Sequence, residues 1–149
     1  MWPSFFFRLP LACIGKGRPR VGRFHNVYTP KKTADFESQV QQFLKKTLDD
    51  IEAIPLTMAI TVSVRCVYQP PKSWPKKFLA LVNFFYLPKI TKPDIDNALK
   101  ILLDAFNKLL WADDKNIYDV HAKKVWGPRD EIIVSVTTCS PWEPLEAVQ

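Results

Sequence analysis

Residues 92–115, KPDIDNALKILLDAFNKLLWADDK, set the frame for the rest of the chain. At helical period, Ile95, Leu99, Leu102, Leu103, Phe106, Leu109 and Leu110 fall on one stripe, which predicts an amphipathic helix burying that stripe. Asp96, Lys100, Asp104 and Asn107 form a polar stripe beside it. Pro93 suits the entry to the first turn and Asp94 is a natural N-cap, so two carboxylates stand at the start of the helix.

That placement alone has two readings. Asp94 serves as a plain cap and Asp96 answers the positive end of the macrodipole, or the two carboxylates do chemistry. The second acidic pair, Asp113 and Asp114, lies just past the helix and before a predicted strand over residues 116–126. If that strand pairs beside the helix start, Asp114 folds back toward Asp94 and Asp96. Three carboxylates suit a hard cation such as Mg²⁺, which takes oxygen ligands and keeps waters and substrate phosphate oxygens as the remainder. Lys100, one turn after Asp96, is placed either to stabilise charge on a phosphate or to pair with Asp96 or Asp104.

Outward from this segment, residues 33–48 read as an amphipathic helix, with Phe36, Val40, Phe43, Leu44 and Leu48 on one side. Residues 56–68 alternate and are rich in β-branched side chains, which predicts a long strand. Residues 5–13 read as a first strand and 76–82 as a short helix. Residues 116–126 and 131–138, separated by the turn signal GPRD, read as a hairpin. The order strand, helix, strand, helix, strand, strand predicts an α+β fold: one domain over residues 1–149, a mixed β-sheet with two main helices packed against it, and a loose tail from about 141. A chain of 149 residues, 47% hydrophobic, is long enough for one real core.

The charge balance, 21 basic against 15 acidic residues for a net +6, favours a polyanionic partner. Lys16, Arg18, Arg20 and Arg23 cluster in a glycine-containing loop, and Lys72, Lys76 and Lys77 cluster later, with Lys92 at the motif itself. Phe24 and Tyr28 lie near the first cluster and Trp74 and Phe78 near the second; they either stack on bases or pack beneath loops.

KPDIDNALKILLDAFN followed by WADDKNIYD resembles the signature of the RusA family of Holliday junction resolvases, endonucleases often encoded by phages and prophages. GKGRPRVGRF and VYTPKKTADFE, residues 15–24 and 27–37, are similar to the family's N-terminal segment, so the likeness runs in order from about Leu9 to Val136. The resemblance implies that Asp94, Asp96 and Asp114 are metal-binding catalytic aspartates and Lys100 the catalytic lysine. Asn97 and Asp113 fall at the family's asparagine and first paired acid, and are expected to support the site. Asp119 matches a frequent family aspartate without a stated role. The stretch LPKITKP departs from the family pattern in being less dense in arginine. A RusA-like chain is expected to form a homodimer, to use Mg²⁺ with Mn²⁺ as substitute, and to resolve Holliday junctions by paired symmetric cleavage in DNA recombination and repair. Its two-fold axis would match that of a four-way junction.

Two other functions fit the same residues: a nuclease for other branched DNA, and a non-catalytic nucleic-acid-binding module in which the acids are only caps and ion pairs. Three scattered cysteines without a CxxC pair suit a reducing cytoplasm. The opening MWPSFFFRLPLACIG lacks a basic n-region, is interrupted by Arg8 and Pro10, and reads as strand rather than leader. No stretch approaches transmembrane length, so no membrane partner is expected.

Overall fold

In the computed structural model, which describes residues 4–49 and 55–148, the chain runs β1 (Ser4–Leu9), β2 (Arg20–Val21), β3 (Val27–Tyr28), α1 (Lys31–Leu48), β4 (Ala59–Tyr68), α2 (Lys76–Leu81), β5 (Leu87–Pro88), α3 (Ile95–Phe106), a 3₁₀ turn (Asp114–Asn116), β6 (Ile117–Trp126) and β7 (Glu131–Cys139). Met1–Pro3 of the opening segment and Gln149 of the tail lie outside the described residues. Five strands form a mixed sheet in the order β1–β7–β4–β6–β5, with β4 parallel to β6 and the other pairs antiparallel; β2 and β3 make a separate ribbon. This is the α+β fold that the sequence predicts, with α2 as a third, short helix.

The alternation along β4 decides which side of the sheet carries the core. Ile60, Val62, Val64 and Cys66 are buried, while Thr61, Ser63 and Arg65 turn to the other face. On the first face, Phe7, Leu9, Ile132, Val134 and Val136 continue the apolar layer, and α1 and α3 close over it. From α1 come Phe36, Val40, Leu44 and Leu48, at the spacing the sequence predicts.

On α3 the buried stripe differs from the expected one. Ala98, Ile101, Leu102, Ala105 and Phe106 are buried, whereas Ile95 is 44% exposed. The helix stops at Phe106, and Lys108 has φ 66°, so Leu109 and Leu110 are not on its surface. Ala98 and Ala105 are small enough to let the backbone come close to the sheet, which rotates the contact face toward them. Phe106 is fully buried, edge-on to both Phe7 and Trp111 at centroid distances of 5.9 Å.

The expected hairpin of the last two strands does not form, because β4 lies between them. GPRD bridges two strand spacings, roughly 9.5 Å, passing over the end of β4. Gly127 donates its N–H to the Tyr68 carbonyl at 2.9 Å, and a Cβ at that position would collide with Val67. Asp130 accepts the Gln69 N–H at 2.8 Å, tying off the backbone of β4 where its ladder ends. The turn signal was sound, but local sequence does not report which strand slides into the gap. Residues 141–148 hold no helix or strand and are all exposed.

Phe106→Ala is expected to lower stability by about 3–5 kcal/mol, since the ring is enclosed and α3 is held to the sheet through it. Equilibrium urea unfolding measures this; a loss under about 1 kcal/mol would show that the site collapses around the void.

Candidate functional site

Because β4 and β6 are parallel, the connection between them returns along the sheet as α3, whose start lies at the Tyr68/Trp126 end. Asp94 occupies the N-cap position with φ −65° and ψ 145°, yet its side chain caps nothing. Asp96 follows in the first turn. Both carboxylates are exposed, and neither has a hydrogen bond or ion pair with a described residue. A cleft of about 510 Å³ opens beside Asp94, lined among others by Gly15, Lys32, Tyr68, Lys92 and Asn97.

The glycine loop closes one wall of this cleft. Gly15 sits so near Pro93 that an added Cβ would lie 3.1 Å from the proline Cβ, and the Lys16 N–H donates to the Asn97 carbonyl at 3.2 Å. The Lys16 side chain does not reach out as the basic cluster suggested. Its ammonium donates to Asp104 and, at 3.2 Å, to Glu37, which joins α1 to α3. Asp104 is thereby occupied, and Lys100 stays exposed without a partner among the described residues.

Asp114 does not join Asp94 and Asp96 within one chain. The expected fold-back required the following strand to begin beside the helix start, but β6 begins at the opposite end of α3, next to Ile60. Twelve residues of helix separate the two ends, about 18 Å at 1.5 Å per residue. Asp114 is held there by the buried Trp111, whose indole N–H donates to Oδ1 at 2.8 Å. Among the described residues, no three Asp, Glu, His or Cys side chains gather closely enough to hold a metal. Asp113 caps the 3₁₀ turn, accepting the Lys115 N–H at 2.9 Å. Asp119 lies on the helix-free face of the sheet, 3.2 Å from His121 Nε2.

Of the remaining basic residues, Arg18, Arg20, Arg23, Lys72, Lys76, Lys77 and Lys92 are all exposed. Arg20 and Arg23 ride on the β2–β3 ribbon, with Phe24 at its turn 88% exposed. The second aromatic pair is different: Trp74 packs on Trp126 at 5.1 Å and on Phe78 at 6.4 Å.

Two residues of the site escaped the sequence reading, Lys89 and Lys124. The Lys89 ammonium donates to the Thr91 carbonyl, the Thr91 hydroxyl and the Lys92 carbonyl; Lys124 donates to the carbonyls of Thr91 and Pro93. One signal was present: strand alternation puts Lys124 on the face of Val120, Ala122 and Trp126, the helix-covered side, where a lysine is unexpected.

These features describe an α+β domain with Asp94 at a basic cleft and Asp96 close by in sequence, neither partnered among the described residues, and comparison with known families places it among the endodeoxyribonucleases. The chain belongs to the RusA endodeoxyribonuclease family, whose model matches residues 10–137. It is also similar to the uncharacterized protein YqaN of Bacillus subtilis (strain 168), 32% identical in a match 130 residues long that covers 81% of this chain and 88% of that protein.

Burial acts against the Lys16 ammonium, but its hydrogen bonds and charge contacts with Asp104 and Glu37 outweigh that, and its pKa is raised. The stabilisation from this triad is therefore complete below the unfolded lysine value, about 10.4, and is lost as pH rises through the higher folded value. Lys16→Met is expected to lower the melting temperature at pH 8 and to flatten the loss of stability above about pH 10.4. Thermal denaturation across pH 8 to 12 checks both; parallel curves for the two proteins would contradict it.

Proposed function

We propose that this protein hydrolyses phosphodiester bonds in branched DNA, with the Holliday junction as substrate, and that Asp94 and Asp96 hold the Mg²⁺ that the reaction uses, Mn²⁺ serving as a substitute. The observation carrying this reading is Asp94 at a basic cleft with Asp96 in the next turn, both without a partner among the described residues, in a chain of the RusA family. The donor set fits: Mg²⁺ is usually held by one or two carboxylates and completed by waters and substrate phosphates, so two free aspartates suffice without a cage. When bound, the metal polarises the phosphate and makes water acidic enough to act as nucleophile near neutral pH.

The chain's own residues set up the encounter. Lys32 and Lys92 at the cleft offset the negative charge of the aspartates and attract the DNA backbone. Lys100, on the same side of α3 as Asp96 and unpaired, neutralises charge building on the phosphate in the transition state. Arg18, Arg20 and Arg23 follow phosphates away from the cut, and the exposed ring of Phe24 stacks on or wedges against bases at the branch point.

Asp114 enters this reading through a second copy of the chain. With about 18 Å of helix between it and Asp94, a two-fold homodimer that sets the end of one α3 beside the start of the other is the arrangement that gives all three aspartates one site.

Four experiments test the proposal. Asp94→Asn abolishes cleavage of a labelled four-way junction in Mg²⁺ while leaving junction binding in Ca²⁺ unchanged; undiminished cleavage removes Asp94 from the mechanism, whereas binding without cleavage by the parent protein favours a binding module. A panel of junction, fork, flap and linear duplex identifies the substrate shape. A mixture of Asp94→Asn and Asp114→Asn proteins, each inactive alone, regains nicking after subunit exchange, because one of the two shared sites in a mixed dimer is intact. No recovery would mean that Asp114 works within its own chain or not at all. Replacing Arg18, Arg20 and Arg23 together by alanine is expected to reduce the slope of log K against log salt by about 2 to 3. An unchanged slope would place the DNA elsewhere.

A further inference from the structure

Among the described residues Lys89 is the only buried lysine, 7% exposed, and it has no carboxylate partner. Its ammonium lies 4.8 Å from the Tyr68 ring centre and 4.7 Å from that of Trp126, and its donors are spent on Thr91 and Lys92. Lys124, half-buried, donates to the Thr91 carbonyl at 2.7 Å and to that of Pro93. Three successive carbonyls, of Thr91, Lys92 and Pro93, are thus gathered onto two cations directly before Asp94.

Such an arrangement costs free energy. Burial and then the nearby charge of Lys124 lower the Lys89 pKa, so the ammonium is less favoured here than in water. Neutral donors would carry no such cost but would hold the same carbonyls less strongly, because charge-assisted hydrogen bonds are roughly twice as strong as neutral ones. Two cations are favoured if the loop must be held in one course against the repulsion between Asp94 and an incoming phosphate. With three carbonyls pinned, the chain has little freedom in how it enters Asp94, and the carboxylate direction follows.

We infer that Lys89 and Lys124 are positioning residues for the hydrolytic site, acting through the Thr91–Pro93 carbonyls to aim Asp94. This rests on the reading that Asp94 binds the metal.

Lys124→Gln is the informative variant, because Lys124 is not fully enclosed and glutamine keeps a donor. Two effects oppose each other when its charge is removed. Lost repulsion tightens metal binding a few-fold, whereas lost orientation of a ligand weakens it by about 10–100-fold, and the second is expected to win. Mn²⁺ alone is titrated into the DNA-free protein, following paramagnetic broadening of the Asp94 to Asn97 amide signals. The expected result is at least tenfold weaker binding for Lys124→Gln, with kcat for junction cleavage down at least tenfold, KM within about twofold and the melting temperature within a few degrees. Lys124→Arg restores most of both, and Lys123→Gln, on the other face of the same strand, changes neither. Mn²⁺ binding that is unchanged or tighter in Lys124→Gln overturns the inference whatever cleavage does. Asp94→Asn in the same titration separates the two levels: if it binds Mn²⁺ like the parent, the metal reading itself fails.

Discussion

Strand β4 is paired along nearly its whole length, antiparallel to β7 on one side and parallel to β6 on the other. A parallel neighbour cannot be reached by a tight turn, so the chain must leave the end of β4, cross, and return along the sheet before β6 begins. That return is α3. The site follows from the same constraint: the loop from β5 into α3 is forced to the Tyr68/Trp126 end of the sheet, and with it Asp94 and Asp96. The other end of α3 is committed equally firmly to the start of β6, where Trp111 and Asp114 sit.

Charge is distributed over this frame in an uneven way. Where an acid and a base serve the fold they are paired: Lys16 with Glu37 and Asp104, and Arg8 with Glu131, whose nearest atoms are 3.4 Å apart. Around the start of α3 the pairing stops. Among the described residues Asp94, Asp96 and Lys100 have no partner, and Lys89 and Lys124 are satisfied by carbonyls rather than by acids. Unpaired charges of both signs held within one region raise the energy of the free protein and lower it when a cation and a phosphate arrive together. That is the arrangement the proposed function calls for.

Much of the fold was legible in the chain itself. Alternation marked β4, and the 3.6-residue period marked α1 and α3. The acidic pair at the start of α3 was equally legible, because N-cap chemistry and helix period are local and need no knowledge of the rest of the molecule. The misreadings share one cause. A hairpin was expected from GPRD, a full leucine stripe from the helix, and a folded-back Asp114 from the second acidic pair, and each expectation assumed that neighbours in sequence are neighbours in space.

What the amino-acid sequence determined, then, was the identity of the main elements, the buried face of the long strand, the membership of the family and the presence of two carboxylates at one helix end. Only the tertiary structure decided that β4 enters between β6 and β7, that Lys16 is spent on α1 and α3, that Lys89 and Lys124 grip the loop before Asp94, and that Asp114 stands at the far end of the helix. The reason is the range of the forces involved. Backbone propensity and capping act over a few residues, whereas strand order and ion pairing join residues dozens of positions apart, and their outcome depends on which surfaces can be buried together at once.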